Sequence, residues 1–213
     1  MPAALTHLIP IQELAPGAVA AIRNQIINSL VAQASRELNL PPEKLVVRDV
    51  RPREDLGLYG ASTTDATTEL WGWTTTATSV GFTSWSGDNV MGDQRYVALF
   101  GVRDRGLYYG ASGSATLAVA LTSYKTVVSL IKINVGGADK VTWDISSLRA
   151  YRDAQVGFAP TAVVIPQNTT FNISPYKSGS IEVGIMTSAI TQEIMWLELV
   201  GITVEPRGKT ISP

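Results

Sequence analysis

The chain contains no cysteine, which removes disulfides, thiolate metal sites, iron–sulfur clusters and cysteine nucleophiles from its chemistry. It holds a single histidine, His7, so a Ser-His-Asp triad or a histidine-built metal site would have to be recruited from the amino-terminal segment. His7 reads instead as an exposed residue of a mobile leader. Charge is scarce too: 16% of residues are charged and 45% hydrophobic, more apolar and less charged than an ordinary monomeric domain, which points to contacts with other chains. Seventeen Lys+Arg against eighteen Asp+Glu leave a net charge of −1. No overall field then draws nucleic acid, anionic lipid or acidic substrates, and no specific nucleic-acid binding is expected. Near-zero charge also removes the repulsion that keeps copies of a protein apart. With no basic-then-apolar leader and no run of about 18 apolar residues, the chain reads as neither signal-directed nor membrane-spanning.

What is present falls into four stretches. Residues 1–45 read as an extended leader followed by an amphipathic helix. From about Gln12 to Leu40, Val19, Ile22, Ile26, Leu30 and Ala34 recur at three- and four-residue intervals, with Ile27, Val31 and Leu38 widening the stripe. The helix opens near Pro16, which a first turn tolerates, and ends by Asn39, because Pro41-Pro42 removes two N–H donors and disfavours helix just before it. Residues 46–66 form a joint: Leu45–Val50 as a short strand, then the charged turn Arg51-Pro52-Arg53-Glu54-Asp55.

Residues 67–205 form a β body rich in threonine, valine, isoleucine and aromatics. Strands are expected at 67–76, 79–85, 95–103, 115–123, 127–134, 140–145, 161–165, 170–174, 180–188 and 192–204, with a short helical turn near 146–154. They are separated by turn sequences such as Gly136-Gly137-Ala138-Asp139 and Lys177-Ser178-Gly179. Short, regularly spaced strands without crossover helices predict a mainly β protein: an antiparallel β-sandwich, jelly roll first and another Greek-key sandwich second, preceded by an amino-terminal amphipathic α-helix. Residues 206–213 form a carboxy-terminal tail, which Pro206 keeps from continuing a sheet.

Catalytic chemistry is hard to assemble from these residues, and no enzyme, cofactor or metal site is expected. Asp88, Asp93 and Asp139 lie beside glycines in turns, and Glu182, Glu193 and Glu198 read as solvent-facing members of strand alternation rather than a glycosidase pair. Gly110-Ala111-Ser112-Gly113 lacks the Lys-Ser/Thr ending of a phosphate loop. The contact-forming residues are aromatic: Trp71, Trp73, Trp85, Tyr108 and Tyr109. Trp71 and Trp73, two apart on one strand, share a face and serve either as core or subunit interface or as a platform for sugar rings. One echo stands out, Gly57-Leu58-Tyr59-Gly60-Ala61-Ser62 returning as Gly106-Leu107-Tyr108-Tyr109-Gly110-Ala111-Ser112. It is either a duplicated contact loop or chance reuse of residues that suit strand ends.

The helix stripe of Val19, Ile22, Ile26 and Leu30 needs a cover: its own sandwich, a neighbouring subunit or a membrane surface. Few Lys or Arg on its polar face favour protein. In layout, with a helical or extended arm, a Thr- and Gly-rich β body and a short tail, the chain resembles single jelly-roll coat proteins of icosahedral viruses. The likeness carries no diagnostic motif. It implies a capsid shell subunit of a virion, assembled in the host cytoplasm, partnered by itself and by other virion proteins, with residues 1–45 and 205–213 tying subunits together. The alternative is a carbohydrate-binding or adhesin-like module that takes a glycan on its Trp/Tyr face.

Overall fold

The structure is a computed structural model that describes residues 4–50, 53–60, 89–109, 128–150, 156–177 and 192–208. The strands expected at 67–76, 79–85, 115–123 and 180–188 lie outside those residues, as do Trp71, Trp73 and Trp85.

In chain order the elements are β1 (Ala4–His7), β2 (Ile9–Pro10), α1 (Ala18–Leu38), β3 (Leu45–Val50), β4 (Arg53–Gly60), β5 (Asn89–Val90), β6 (Tyr96–Tyr109), β7 (Val128–Val135), β8 (Ala138–Asp144), β9 (Val156–Ile165), β10 (Thr170–Lys177) and β11 (Gln192–Pro206), with short 3-10 turns at Ile11–Glu13, Pro42–Lys44 and Ser146–Ala150. The protein is mainly β, with two sheets and one α-helix among the described residues. The first sheet runs β1-β8-β7-β10-β5 and the second β2-β9-β6-β11-β3, with β4 also paired to β11. Every pairing is antiparallel except that of β1 with β8.

Local chemistry explains the boundaries. Gly17, at φ 82°, takes the left-handed conformation that a helix cannot continue through, so α1 opens at Ala18 and not at Pro16. Asn39, at φ 53°, closes it. The amide of Leu40 returns to the Ser35 carbonyl at 3.1 Å, and the Ser35 hydroxyl donates to the Leu40 carbonyl at 2.7 Å. Between β7 and β8 the two turn residues Gly136 and Gly137 both have positive φ, 63° and 76°, as a two-residue hairpin that matches the strand twist requires. Lys132 and Asp139 face each other across that hairpin at 2.9 Å.

Two apolar clusters share the second sheet. The first lies between the sheets: Val97, Leu99 and Val102 of β6, Ile131 and Ile133 of β7, Val141 and Trp143 of β8, Val163 and Ile165 of β9, Ile173 of β10 and Leu199 of β11. The second gathers Tyr96, Ala98 and Phe100 of β6, Phe158 of β9 and Ile202 and Val204 of β11 with Leu45, Leu30 and Ala34, so that α1 lies over the other face of the second sheet. The order is helix, sheet, sheet. Each large side chain buried in this way stabilises the fold by about 1.5–3 kcal/mol.

The amino-terminal segment is not a loose leader. Ala4–His7 adds to the edge of the first sheet beside β8, and Ile9–Pro10 adds to the edge of the second beside β9. Leu8, between them, is buried in the inter-sheet cluster. Its amide donates to the Asp144 carbonyl at 3.1 Å, and its carbonyl accepts from the Ser147 hydroxyl at 2.9 Å. Gly157, paired with Pro10, leaves the space this crossing needs: a Cβ there would meet Leu148 Cδ2 at 2.5 Å and Leu8 Cβ at 3.0 Å.

Candidate functional site

The helix stripe and the sheet face beneath it form the most developed surface among the described residues. Leu30 and Ala34 are buried in the outer cluster. Val19, Ile22 and Ile26 pack against it while half-buried, as do Ile27, Val31 and Leu38. Phe100 and Phe158 stack below them, ring centres 6.2 Å apart at 21°. The stripe thus meets its own sheet at its carboxy-terminal half. Along the middle of the helix, between it and β9, lies an open groove of about 230 Å³ lined by Ile22, Ile26, Leu30, Gln33, Thr161 and Val164 among others. At the helix's side, Arg23 reaches Asp49 of β3 through Nε at 3.2 Å and Nη2 at 2.9 Å.

Charged groups brace the margins of the same sheet. Glu205 is 1% exposed, with Arg48 Nε at 3.6 Å and Arg95 Nε at 3.4 Å. Glu198, expected to face solvent, is instead buried beside Arg103 at 3.5 Å. The reason is its place in β11, which has β6 along one side and β3 and β4 along the other. Tyr96 is fully buried at the helix contact. Burial first, then the Glu37 carboxylate and the charge of Asp93, push its hydroxyl up to about 12. Pro206 pairs with Leu45 as the last residue of β11, and the Arg207 amide donates to the Lys44 carbonyl at 2.7 Å. The sheet therefore runs one residue into the expected tail.

His7 is exposed as expected, yet it is held in place, its Nδ1 2.9 Å from Asp144 Oδ2. Burial works against ionisation of Asp144, but the hydroxyl and amide of Ser146 and the adjacent imidazole outweigh it and keep the carboxyl below its ordinary range.

The duplicated Gly-Leu-Tyr segments meet on β11. Leu58 and Leu107 both lie opposite Ile194, Tyr59 and Tyr108 both lie opposite Glu193, and Gly60 and Tyr109 both lie opposite Gln192. Two chain segments 49 positions apart in sequence thus flank the same strand in matching register, which the sequence echo alone does not reveal. Arg53 and Arg103 likewise both lie opposite Glu198 in register. The expected aromatic face is described only through the backbone of Tyr108 and Tyr109. Among the described residues no three His, Asp or Glu side chains gather as a metal site would require, and no helix is long and apolar enough to cross a membrane. In comparisons with known proteins, no family model, curated protein or solved structure matches the chain.

Proposed function

We propose that this chain is a shell subunit of an icosahedral virion, a structural protein whose jelly-roll body assembles with copies of itself, and not an enzyme. The strand order carries the proposal. Setting aside β1, β2 and β4, eight strands remain, from β3 and β5 to β11. The first pairs with the eighth (β3, β11), the second with the seventh (β5, β10), the third with the sixth (β6, β9) and the fourth with the fifth (β7, β8), all antiparallel. This is the pairing of one long two-stranded ribbon. Rolling that ribbon up sets the eighth strand beside the third and the seventh beside the fourth, as β11 lies beside β6 and β10 beside β7. This arrangement supports reading the eight strands as a jelly roll, an architecture used by viral capsid domains and also by lectins and cupins.

The shell reading within that group draws on the low charge and apolar excess of the chain and on the division of labour along α1. Leu30 is fully buried against its own sheet, whereas Ile22 and Ile26 are only half-buried there and keep part of their apolar surface on the open groove, where a neighbour could cover it. Light scattering coupled to gel filtration tests the proposal. The full chain is expected to form discrete oligomers or shells as its concentration rises. A compact monomer at every concentration would overturn the shell reading and turn the search to glycan binding by the Trp71, Trp73 and Trp85 face.

A further inference from the structure

Sheet edges invite further strands, and proteins usually blunt them with proline, charge, brevity or a covering element. Most outer margins of the two sheets follow that rule. β2 is two residues long and ends in Pro10; β5 is two residues long. β3 presents Arg48 and Asp49, and Arg23 of the helix reaches across to it. β4 opens with Arg53-Glu54-Asp55. β1 is different. It is bonded to β8 alone among the described strands, and from Ala4 to Gln12 there is no Asp, Glu, Lys or Arg. His7, the one titratable side chain of the stretch, is engaged by Asp144. Leu5 is 57% exposed, Ile9 36% and Ile11 38%, three of the four large apolar side chains left exposed among the described residues.

We infer that β1 is a self-association edge: the β1 strands of two copies pair antiparallel about a twofold axis, joining the first sheets of the two molecules into one. The backbone valences call for a strand. Because the stretch is free of formal charge, two identical edges meet without like-charge repulsion, whereas a charged partner would find no complement there. Leu5, Ile9 and Ile11 supply the apolar margin, and an isologous contact uses the same patch twice. The inference rests on the assembly reading above and names one of its contacts.

Charge exchange at Leu5 tests it on the full chain. Leu5→Lys and Leu5→Glu should each weaken self-association by roughly a hundredfold, with circular dichroism and the melting temperature unchanged because the side chain is exposed. Mixing the two variants should restore association, since opposite charges then meet across the axis; Leu5→Ser should show a smaller loss. If the wild type assembles and both charged variants assemble equally well, the edge is not the contact, although the shell reading stands. If both variants fail and the mixture also fails, the partner of β1 is not a second β1. A wild type that never associates overturns the contact and the shell reading together.

Discussion

The two faces of the second sheet are buried by different means. Its inner face meets another sheet, and the resulting cluster of Leu99, Ile131, Ile133, Trp143, Ile165 and Ile173 is built entirely by the β body, save for Leu8 at one edge. Among the described residues its outer face meets a single helix, where only Leu30 and Ala34 of α1 are fully buried and Ile22 and Ile26 rim an open groove. The inner face therefore holds the body together. The outer face decides whether α1 stays on it, and it retains apolar surface for contacts beyond the chain.

Large-to-small substitutions on the two faces should separate them. Trp143→Ala is expected to destabilise the fold by about 3–5 kcal/mol and Leu30→Ala by about 2–5 kcal/mol, both read by chemical denaturation. Trp143→Ala should lower the whole transition, whereas Leu30→Ala should loosen the helix first, seen as earlier amide exchange over Ala18–Leu38 than over β6 and β11. Equal exchange in helix and strands would mean that the two faces form one cooperative unit.

Alkali should weaken the outer face through Tyr96. The Tyr96 hydroxyl titrates near 12 in the fold and near 10 in an unfolded chain, so the unfolded state loses its proton first. The stabilisation is complete below pH 10 and is lost as the pH rises to about 12, amounting to at most about 3 kcal/mol. Tyr96→Phe should flatten that part of the pH profile; an unaltered profile would assign the alkaline loss to other groups. The smallest effect is expected from Arg23→Ala, which removes the exposed pair with Asp49 and should cost less than about 1 kcal/mol, an effect that salt shrinks further.

Much of this arrangement is legible in the sequence because its periods are long enough to register. The stripe from Val19 to Ala34 spans four turns, and the strands from Leu45, Tyr96, Val128 and Gln192 hold apolar alternation or turn punctuation at their ends. Four- and two-residue strands such as β1 and β2 are too short to carry a period, so Ala4–Pro10 reads as a leader although it is bonded to both sheets. Alternation points Glu198 toward solvent, but it tells one face of a strand from the other and not whether that face is open. In β11, flanked by strands on both sides, Glu198 is buried. The echo of Gly-Leu-Tyr is visible in one dimension, whereas its meeting across Glu193 and Ile194 depends on register.

The bond from Ser147 to the Leu8 carbonyl joins positions 139 residues apart. On a ribosome adding about 5–20 residues per second, the segment around Leu8 emerges many seconds before the strands it must clasp. Until then its apolar residues have no native partner, and pairings of such wide sequence separation form slowly. The clasp is thus a closing step in time as well as in space: the segment made before its partners is among the last to reach its place, and a nascent chain is most exposed to capture by other molecules during that interval.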